Sequence, residues 1–121
     1  NFCYENLEVI VKNNHEVSCK FTIKNLGDIA GAETAQCYVG FLDPAEEEPN
    51  KTLQGFTKID IDANESKDVE IKLLDRNFSY WSVDTNTWQI KGGSYQIYIG
   101  SSSQNISLKS VINLEPVLEV L

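Results

Sequence analysis

The sequence is poor in the residues that most metal and redox sites use. It contains one histidine, His15, and three cysteines, Cys3, Cys19 and Cys37, among 121 residues. No two cysteines form a Cys-x-x-Cys pair, so the spacing typical of a structural zinc site is missing. We therefore expect no metal site and no cofactor in this chain.

Basic residues are also scarce. Ten Lys and Arg residues stand against eighteen Asp and Glu residues, which gives a formal net charge of −8 at pH 7. A negative field repels phosphate backbones and anionic lipid headgroups, so we expect neither nucleic acid nor a membrane surface as a partner. The need for solubility is enough to explain the negative charge. Neutral sugars are still compatible with this charge as binding partners.

Long apolar runs are missing as well. No segment approaches the roughly 18 consecutive apolar residues of a membrane-spanning helix. The chain does not begin with Met or with a basic segment followed by an apolar one, so no signal peptide is expected. Its abrupt start at Asn1 indicates a segment of a longer protein, in which case its function belongs to that protein.

Two of the cysteines fall in alternating apolar patterns, Cys19 between Val17 and Phe21 and Cys37 before Val39. Both are therefore predicted to be buried thiols in the core, and a Cys19–Cys37 disulfide is the alternative. Free thiols persist in reducing compartments. We therefore expect the protein to be located in a bacterial cytoplasm, and secretion of the parent protein is the alternative.

Apolar and polar residues alternate with a period of two in seven short segments. These predicted strands lie at 7–11, 17–23, 35–41, 53–61, 69–73, 95–99 and 106–114, with turn residues between them. The acidic, proline-containing segment 43–49 predicts a loop, and a helical turn capped by Asp75 is expected only within 75–81. This pattern predicts an all-β, Greek-key sandwich of the immunoglobulin or fibronectin-III type. We expect one domain over 1–121, with a core at 2–114 and a tail at 115–121.

Two local patterns refine this prediction. Tyr95 follows Gly93 near the start of a predicted strand, which fits a tyrosine corner, in which the hydroxyl bonds to upstream backbone. A plain strand start is the alternative. The segment 84–88 predicts a hairpin turn that presents Trp88. The tail alternates too, and it is either a frayed extension of the last strand or a segment whose exposed aliphatic residues dock on a neighbouring domain.

An ordered series of motifs is more specific than a generic sandwich. Its members are Leu-Gln-Gly-Phe-Thr-Lys-Ile at 53–59, Asn-Glu-Ser-Lys at 64–67, the aromatic residues of 78–88, and the strand and turn at 93–103. This order resembles the fibronectin-III-like module of family-three glycoside hydrolases, over about residues 2–114. The resemblance implies structural roles for Gly55, Phe56, Glu65, Tyr95 and Gly100. Asn64 stands where that family usually has a turn glycine.

The resemblance also implies where the chemistry lies. Retaining glycosidases need two carboxyl groups about 5–5.5 Å apart, and in the resembling family these groups belong to other domains. The carboxylates here, in 46–48 and at Asp60 and Asp62, are predicted to be solvated, as charged runs usually are. The segment 43–49 lacks the Asp-x-Asp-x-Asp-Gly spacing of a calcium loop. The serines of 101–103 have no nearby histidine and no nucleophile-elbow glycines, so they predict a loop and not a nucleophile. We therefore expect no catalytic residue in the chain, and we expect the catalytic domains of the parent chain to be its partner.

The aromatic residues Tyr80, Trp81 and Trp88 have two interpretations. They could form a platform for a sugar ring, which would make the chain a carbohydrate-binding module. They could equally pack within the protein or against a neighbouring domain, and this is favoured because buried aromatics are commoner. A third function, a cell-surface adhesion module, is suggested by the segment 25–31, which is similar to bacterial surface modules.

Overall fold

The computed structural model describes residues 1–12, 16–45 and 49–120. In chain order the described residues form nine strands, namely β1 Phe2–Val11, β2 Val17–Asn25, β3 Gly31–Phe41, β4 Thr52–Ile61, β5 Ser66–Leu73, β6 Ser79–Ser82, β7 Thr87–Ile90, β8 Gly93–Ser102 and β9 Asn105–Leu114. A short 3-10 helix, Asp75–Asn77, precedes β6. The turn residues 12–15 predict a turn between the first two strands, and residues 13–15 of it, like the acidic residues 46–48, lie outside the described residues. No helix in the described part is long and apolar enough to span a bilayer.

The strands form two antiparallel sheets and one hairpin. The first sheet has the order β1-β2-β5 and the second the order β4-β3-β8-β9, while β6 pairs only with β7. Seven strands therefore build the two layers, which confirms the predicted all-β sandwich of the fibronectin-III type. The two sheets thus have the expected seven strands among the described residues, and the hairpin β6-β7 adds two short strands outside them.

The core lies between the two sheets and consists of the inward positions of each strand. It is built chiefly from Ile, Val, Leu and aromatic side chains, including Val17, Ile23, Ile97 and Ile99, which are fully buried. Complete burial of such a side chain contributes roughly 1.5–3 kcal/mol. The alternation in the sequence thus corresponds to the pleat of real strands, with one face of each strand in the core.

Cys19 on β2 and Cys37 on β3 are both fully buried free thiols. The two strands belong to opposite sheets, so the side chains meet near the centre of the sandwich. The neighbouring Cys19 and the burial of the site raise the pKa of the Cys37 thiol far above its ordinary value. Both therefore act as small core residues, as the alternation predicts, and not as a disulfide.

A bulge shapes β4 where the sequence shows Gly55. Cys37 pairs with Gly55 but the next residue, Tyr38, pairs with Leu53, so Gln54 is the extra residue. A Cβ atom at Gly55 would lie 2.9 Å from Ile71 Cγ2 on β5. The glycine is thus needed because the two sheets approach each other closely at this point.

Among the described residues, those other than glycine that adopt a left-handed backbone conformation are all asparagines. Asn6, Asn64 and Asn86 have φ values of 62°, 60° and 54°. Asparagine tolerates this region better than other side chains because it can hydrogen-bond locally. Asn64 therefore serves the β4–β5 turn as a glycine would, and Asn86 serves the turn between β6 and β7.

The segment 75–81 differs from its predicted helical turn. Only Asp75–Asn77 is helical, and Ser79 already begins β6. Asp75 is not the cap, because the residue before the helix is Leu74, whose N–H donates to Asn77 Oδ1 at 2.8 Å. The aromatic residues that follow favour a strand because each gains a cross-strand neighbour there.

The side chain of Asn25 is buried at the end of β2, with 2% exposure. Its Nδ2 group donates to Ile29 O at 2.9 Å and to Ile61 O at 3.0 Å. Its Oδ1 atom accepts from Gly27 N at 2.9 Å. Sequence patterning identifies this residue only as the start of a turn, whereas the structure shows a fully bonded polar group that joins β2 to β4.

Replacement of Asn25 by Ala should therefore be strongly destabilising. The substitution leaves two carbonyl groups and one N–H without their partner in a buried place, and we expect a loss of about 2–4 kcal/mol in the free energy of unfolding. Urea denaturation of the 121-residue chain measures this loss. The control is Asn105→Ala, which removes an exposed bond to Ser101 and should cost no more than about 0.5 kcal/mol. Equal losses in the two variants would contradict the assigned role.

Candidate functional site

The hairpin β6-β7 carries the two tryptophans. Trp81 pairs directly with Trp88 across the strands, and their ring centroids lie 5.5 Å apart at an interplanar angle of 67°. This is edge-to-face packing, the arrangement that aromatic quadrupoles prefer. The exposed fractions are 46% for Trp81 and 50% for Trp88. Half of each side chain is therefore available to a partner, while the other half packs within the domain.

Tyr80 lies on the opposite face of the hairpin from Trp81, because neighbouring strand residues alternate. Its hydroxyl donates to Gln89 Oε1 at 3.0 Å. Its ring lines a cavity with Phe41, Phe78, Lys91 and Tyr95. The three aromatic residues singled out in the sequence thus do not share one surface, and only the two tryptophans are brought together.

The tail returns to the hairpin. Val117 and Ile90 exchange two backbone hydrogen bonds of 2.9 Å, and Val120 N donates to Trp88 O at 2.7 Å. Val117 and Val120 pack against the core, whereas Leu118 is 77% exposed. The tail is therefore neither an extension of β9 nor wholly exposed, since two of its aliphatic side chains are covered by this same domain.

Tyr95 ties the hairpin to the sandwich. Its hydroxyl donates to Lys91 O at 2.6 Å, which is the geometry of a tyrosine corner. The ring makes edge-to-face contacts with Phe41 and Phe78, with centroid distances of 5.1 and 5.6 Å. Burial raises the pKa of Tyr95 above its ordinary value. The side chain thus fixes the point where the chain leaves the hairpin and enters β8.

The remaining motif residues are distributed over the domain. Phe56 is 69% exposed on β4. Glu65 is exposed in the β4–β5 turn, where its N–H donates to Asp62 O at 3.1 Å. Gly100 lies at an irregularity between β8 and β9, and a Cβ atom there would come within 2.1 Å of Asn105 O. Gly100 therefore has no room for any other side chain, while Phe56 has no visible packing role.

The polar groups considered for catalysis or metal binding are placed at the surface. Asp60 on β4 and Asp62 just beyond it are both exposed. Ser101 and Ser102 end β8 and do not form the expected loop, which begins only at Ser103. Within 1–12, 16–45 and 49–120, no group of three or more His, Cys, Asp or Glu side chains could hold a metal ion. The predicted solvated residues of 46–48 lie outside these ranges.

Comparison with known protein families adds a decisive observation. Residues 33–103 match the family described as fibronectin type III-like domain, which is more than half of the chain. The chain belongs to that family. The matched part runs from β3 to the end of β8, so it includes the bulge at Gly55, the hairpin and the tyrosine corner.

Similar proteins place this fibronectin type III-like domain within much longer chains. It is 41% identical over 87 residues to a probable β-glucosidase L of Aspergillus terreus, covering 72% of the domain and 12% of that protein. It is 42% identical over 96 residues to an exo-α-(1→6)-L-arabinopyranosidase of Bifidobacterium breve, covering 78% and 12%. Its fold matches a crystal structure of a Bifidobacterium adolescentis GH3 β-glucosidase with a TM-score of 0.90 and 30% identity, covering 100% of the domain and 18% of that chain. The domain therefore spans about an eighth of the curated relatives.

The hydroxyl of Tyr95 should contribute measurably to stability. Tyr95→Phe leaves the Lys91 carbonyl without its partner, and we expect a loss of about 1–2 kcal/mol at pH 7 in urea denaturation. Tyr80→Phe is the matched control, because its bond to Gln89 is exposed, and it should change stability by no more than about 0.5 kcal/mol. A Tyr80→Phe loss as large as that of Tyr95→Phe would contradict the tyrosine corner as a stabilising contact.

The same residue predicts a pH dependence. The folded protein holds the pKa of Tyr95, and also that of Tyr4, above the ordinary tyrosine value. The unfolded chain therefore loses these protons first, near pH 10, and stability should be complete below about pH 10 and fall above it. In Tyr95→Phe this alkaline fall should be shallower than in the wild type, as measured by urea midpoints from pH 8 to 11. An unchanged slope would contradict the assignment.

Proposed function

We propose that this fibronectin type III-like domain is a non-catalytic accessory module of a family-three, β-glucosidase-like glycoside hydrolase. In this proposal it packs on the catalytic domains of the parent chain and stabilises them. The observation that supports it most is the match of the entire domain to 18% of a GH3 β-glucosidase chain. A domain that fits wholly into a small part of an enzyme contributes a part and not the whole of its function.

The relatives also suggest where sugar selection resides. One similar protein is named as a probable β-glucosidase and another as an α-arabinopyranosidase. Their names differ in both the sugar and the anomer, although both contain a region similar to this domain at about 40% identity. This difference between relatives supports a domain that stabilises the parent chain and leaves sugar selection to its other parts. It gives no support to the adhesion-module alternative.

The surface of the domain supports a packing role. Several large apolar side chains are about half exposed or more, among them Trp81, Trp88, Phe56 and Leu53. Exposed apolar residues that cluster mark interaction surfaces. Location in a reducing compartment, with the bacterial cytoplasm favoured, is part of the same proposal. It is supported by the free thiols of Cys3, Cys19 and Cys37, since such thiols persist where disulfides do not form.

Removal of the domain from the full-length enzyme tests the proposal. The truncated enzyme should melt at a lower temperature and lose activity faster on warming, because the surface that the domain covers becomes exposed. The isolated domain should not hydrolyse an aryl glucoside. Hydrolysis by the isolated domain would contradict its non-catalytic role, and a truncated enzyme with unchanged stability and activity would contradict the supporting role.

Titration with gluco-oligosaccharides tests the carbohydrate-binding alternative. A sugar ring stacks on a flat, accessible aromatic face, whereas Trp81 and Trp88 stand edge to face and Tyr80 lies on the other side of the hairpin. We therefore expect no change in tryptophan fluorescence up to millimolar sugar. A saturable change that is lost in Trp88→Ala but kept in Tyr80→Ala would overturn the packing interpretation in favour of sugar binding.

A further inference from the structure

The two outer faces of the sandwich differ in chemistry. On the outer face of β1-β2-β5, Glu8, Lys20 and Glu70 stand in one cross-strand row. The Ser18 hydroxyl donates to the Glu70 carboxylate, and this bond, together with nearby lysines, lowers the pKa of Glu70. Alternating charges of this kind suit contact with water. This face therefore has the character of a solvent-exposed surface.

The outer face of β4-β3-β8-β9 is aromatic. Leu53, Tyr38, Tyr98 and Lys109 form one cross-strand row on neighbouring strands. Tyr38 and Tyr98 point away from the core, yet they are only 9% and 6% exposed. Their neighbours cover them, since the Nζ atom of Lys109 lies 5.8 Å from the Tyr98 ring centroid.

Pro49 and Lys51, which precede β4, cover part of this face. A Cβ atom at Gly40 would lie 2.9 Å from Pro49 Cβ, so Pro49 packs directly on β3. Lys51 lies two residues after Pro49 and places its Nζ atom 5.5 Å from the Tyr98 ring centroid. The two lysines thus hold their charges above one aromatic ring, at a distance where a cation–π attraction operates.

The part of the face next to Pro49 and Lys51 is left open. Leu53 is 47% exposed at the end of the tyrosine row, and Phe56 is 69% exposed in the next row of the same face. Phe56 pairs with Gln36 on β3, so its exposed ring lies one row from the buried Tyr38 and Tyr98. An exposed aromatic ring at the border of a covered aromatic row is an anchor that an apolar pocket of a partner can receive.

Lysines lie on or beside this open part. They are Lys51, Lys58 and Lys109, and the carboxylate of Asp60 lies at its far end on β4. The chain as a whole carries a net charge of −8, so a basic rim here runs against the overall charge. A partner surface with carboxylates opposite these lysines and an apolar centre opposite Phe56 would be complementary to it.

We propose that this lysine-rimmed face, formed by Leu53, Phe56, Tyr98, Lys51 and Lys109, docks on the remaining part of the parent chain. The inference rests on the proposed function. The occupant is chosen because the region similar to this domain makes up only 12% of the length of these relatives, so each of those chains carries a large, covalently attached partner. The tryptophan hairpin is a weaker choice for the main contact, because its rings already pack on each other and its strand pairs with the tail.

The test uses the full-length enzyme with Phe56→Asp and, as the matched control, Ile29→Asp. Ile29 is 80% exposed in the connection between β2 and β3, away from the lysine-rimmed face. Phe56→Asp should lower the melting temperature of the full-length enzyme by several degrees, while Ile29→Asp should leave it within about 1 °C. In the isolated domain both variants should melt close to the wild type, because neither side chain is buried there.

A charge reversal provides a second readout that does not depend on Phe56. Lys109→Glu should lower the melting temperature of the full-length enzyme at low salt, and added salt should reduce the difference. Lys24→Glu is its control, since Lys24 is an exposed residue of the opposite sheet. Hydrogen exchange of β4 should be slower in the full-length enzyme than in the isolated domain.

The outcomes separate this inference from the proposed function. If removal of the domain destabilises the enzyme but Phe56→Asp and Lys109→Glu behave like their controls, the docking face is wrong and the accessory role stands. If removal changes neither stability nor activity, the accessory role is wrong, and the docking face that rests on it is wrong as well. Self-association of the isolated domain that is abolished by Phe56→Asp, without any effect on the full-length enzyme, would assign the face to a second copy and overturn the inference.

Discussion

The sandwich depends on the buried side chain of Asn25. The chain crosses from the first sheet to the second between β2 and β3, and it returns between β4 and β5. Asn25 donates to Ile29 in the first crossing and to Ile61 at the start of the second. Its backbone N–H donates to Glu65 O in the second crossing, at 2.9 Å. One residue therefore connects both crossings, in a place where unpaired polar groups would be costly.

The third crossing between the sheets runs from β5 to β8, and its contacts lie at the other side of the domain. Between β5 and β8 the chain passes through the 3-10 helix and the hairpin β6-β7 before it re-enters the second sheet. Tyr95 closes this crossing by bonding Lys91 O, and the tail adds two bonds between Val117 and Ile90. The hairpin is thus attached at its base by a side chain and along β7 by backbone. This explains how two short strands with few partners remain ordered, since an isolated hairpin is only marginally stable.

Much of the fold could be predicted from the sequence because the core is built from strict alternation. The seven sheet strands, the buried thiols and the turn at Asn64 all follow from local patterns. The strand at Ser79–Ser82 and the return of the tail could not be predicted in this way, because both depend on partners far along the chain. Likewise, the burial of Asn25 is a tertiary property, and a sequence window shows only a turn-forming residue. Tertiary contacts of this kind override the local secondary-structure propensity of a segment.

The lysine-rimmed face was hidden from sequence reasoning for a related reason. Tyr38 and Tyr98 stand between core residues of β3 and β8, so each of these segments is apolar at successive positions and both tyrosines look like members of one core. Only the pairing of the strands shows that they face outward and form a row with Leu53. A two-layer sandwich needs one buried face per strand, so apolar side chains on the second face contribute little to its core. The second face of β3 and β8 is therefore free to serve the docking that we propose, and in the relatives the matched region is only 12% of a longer chain that can supply the occupant.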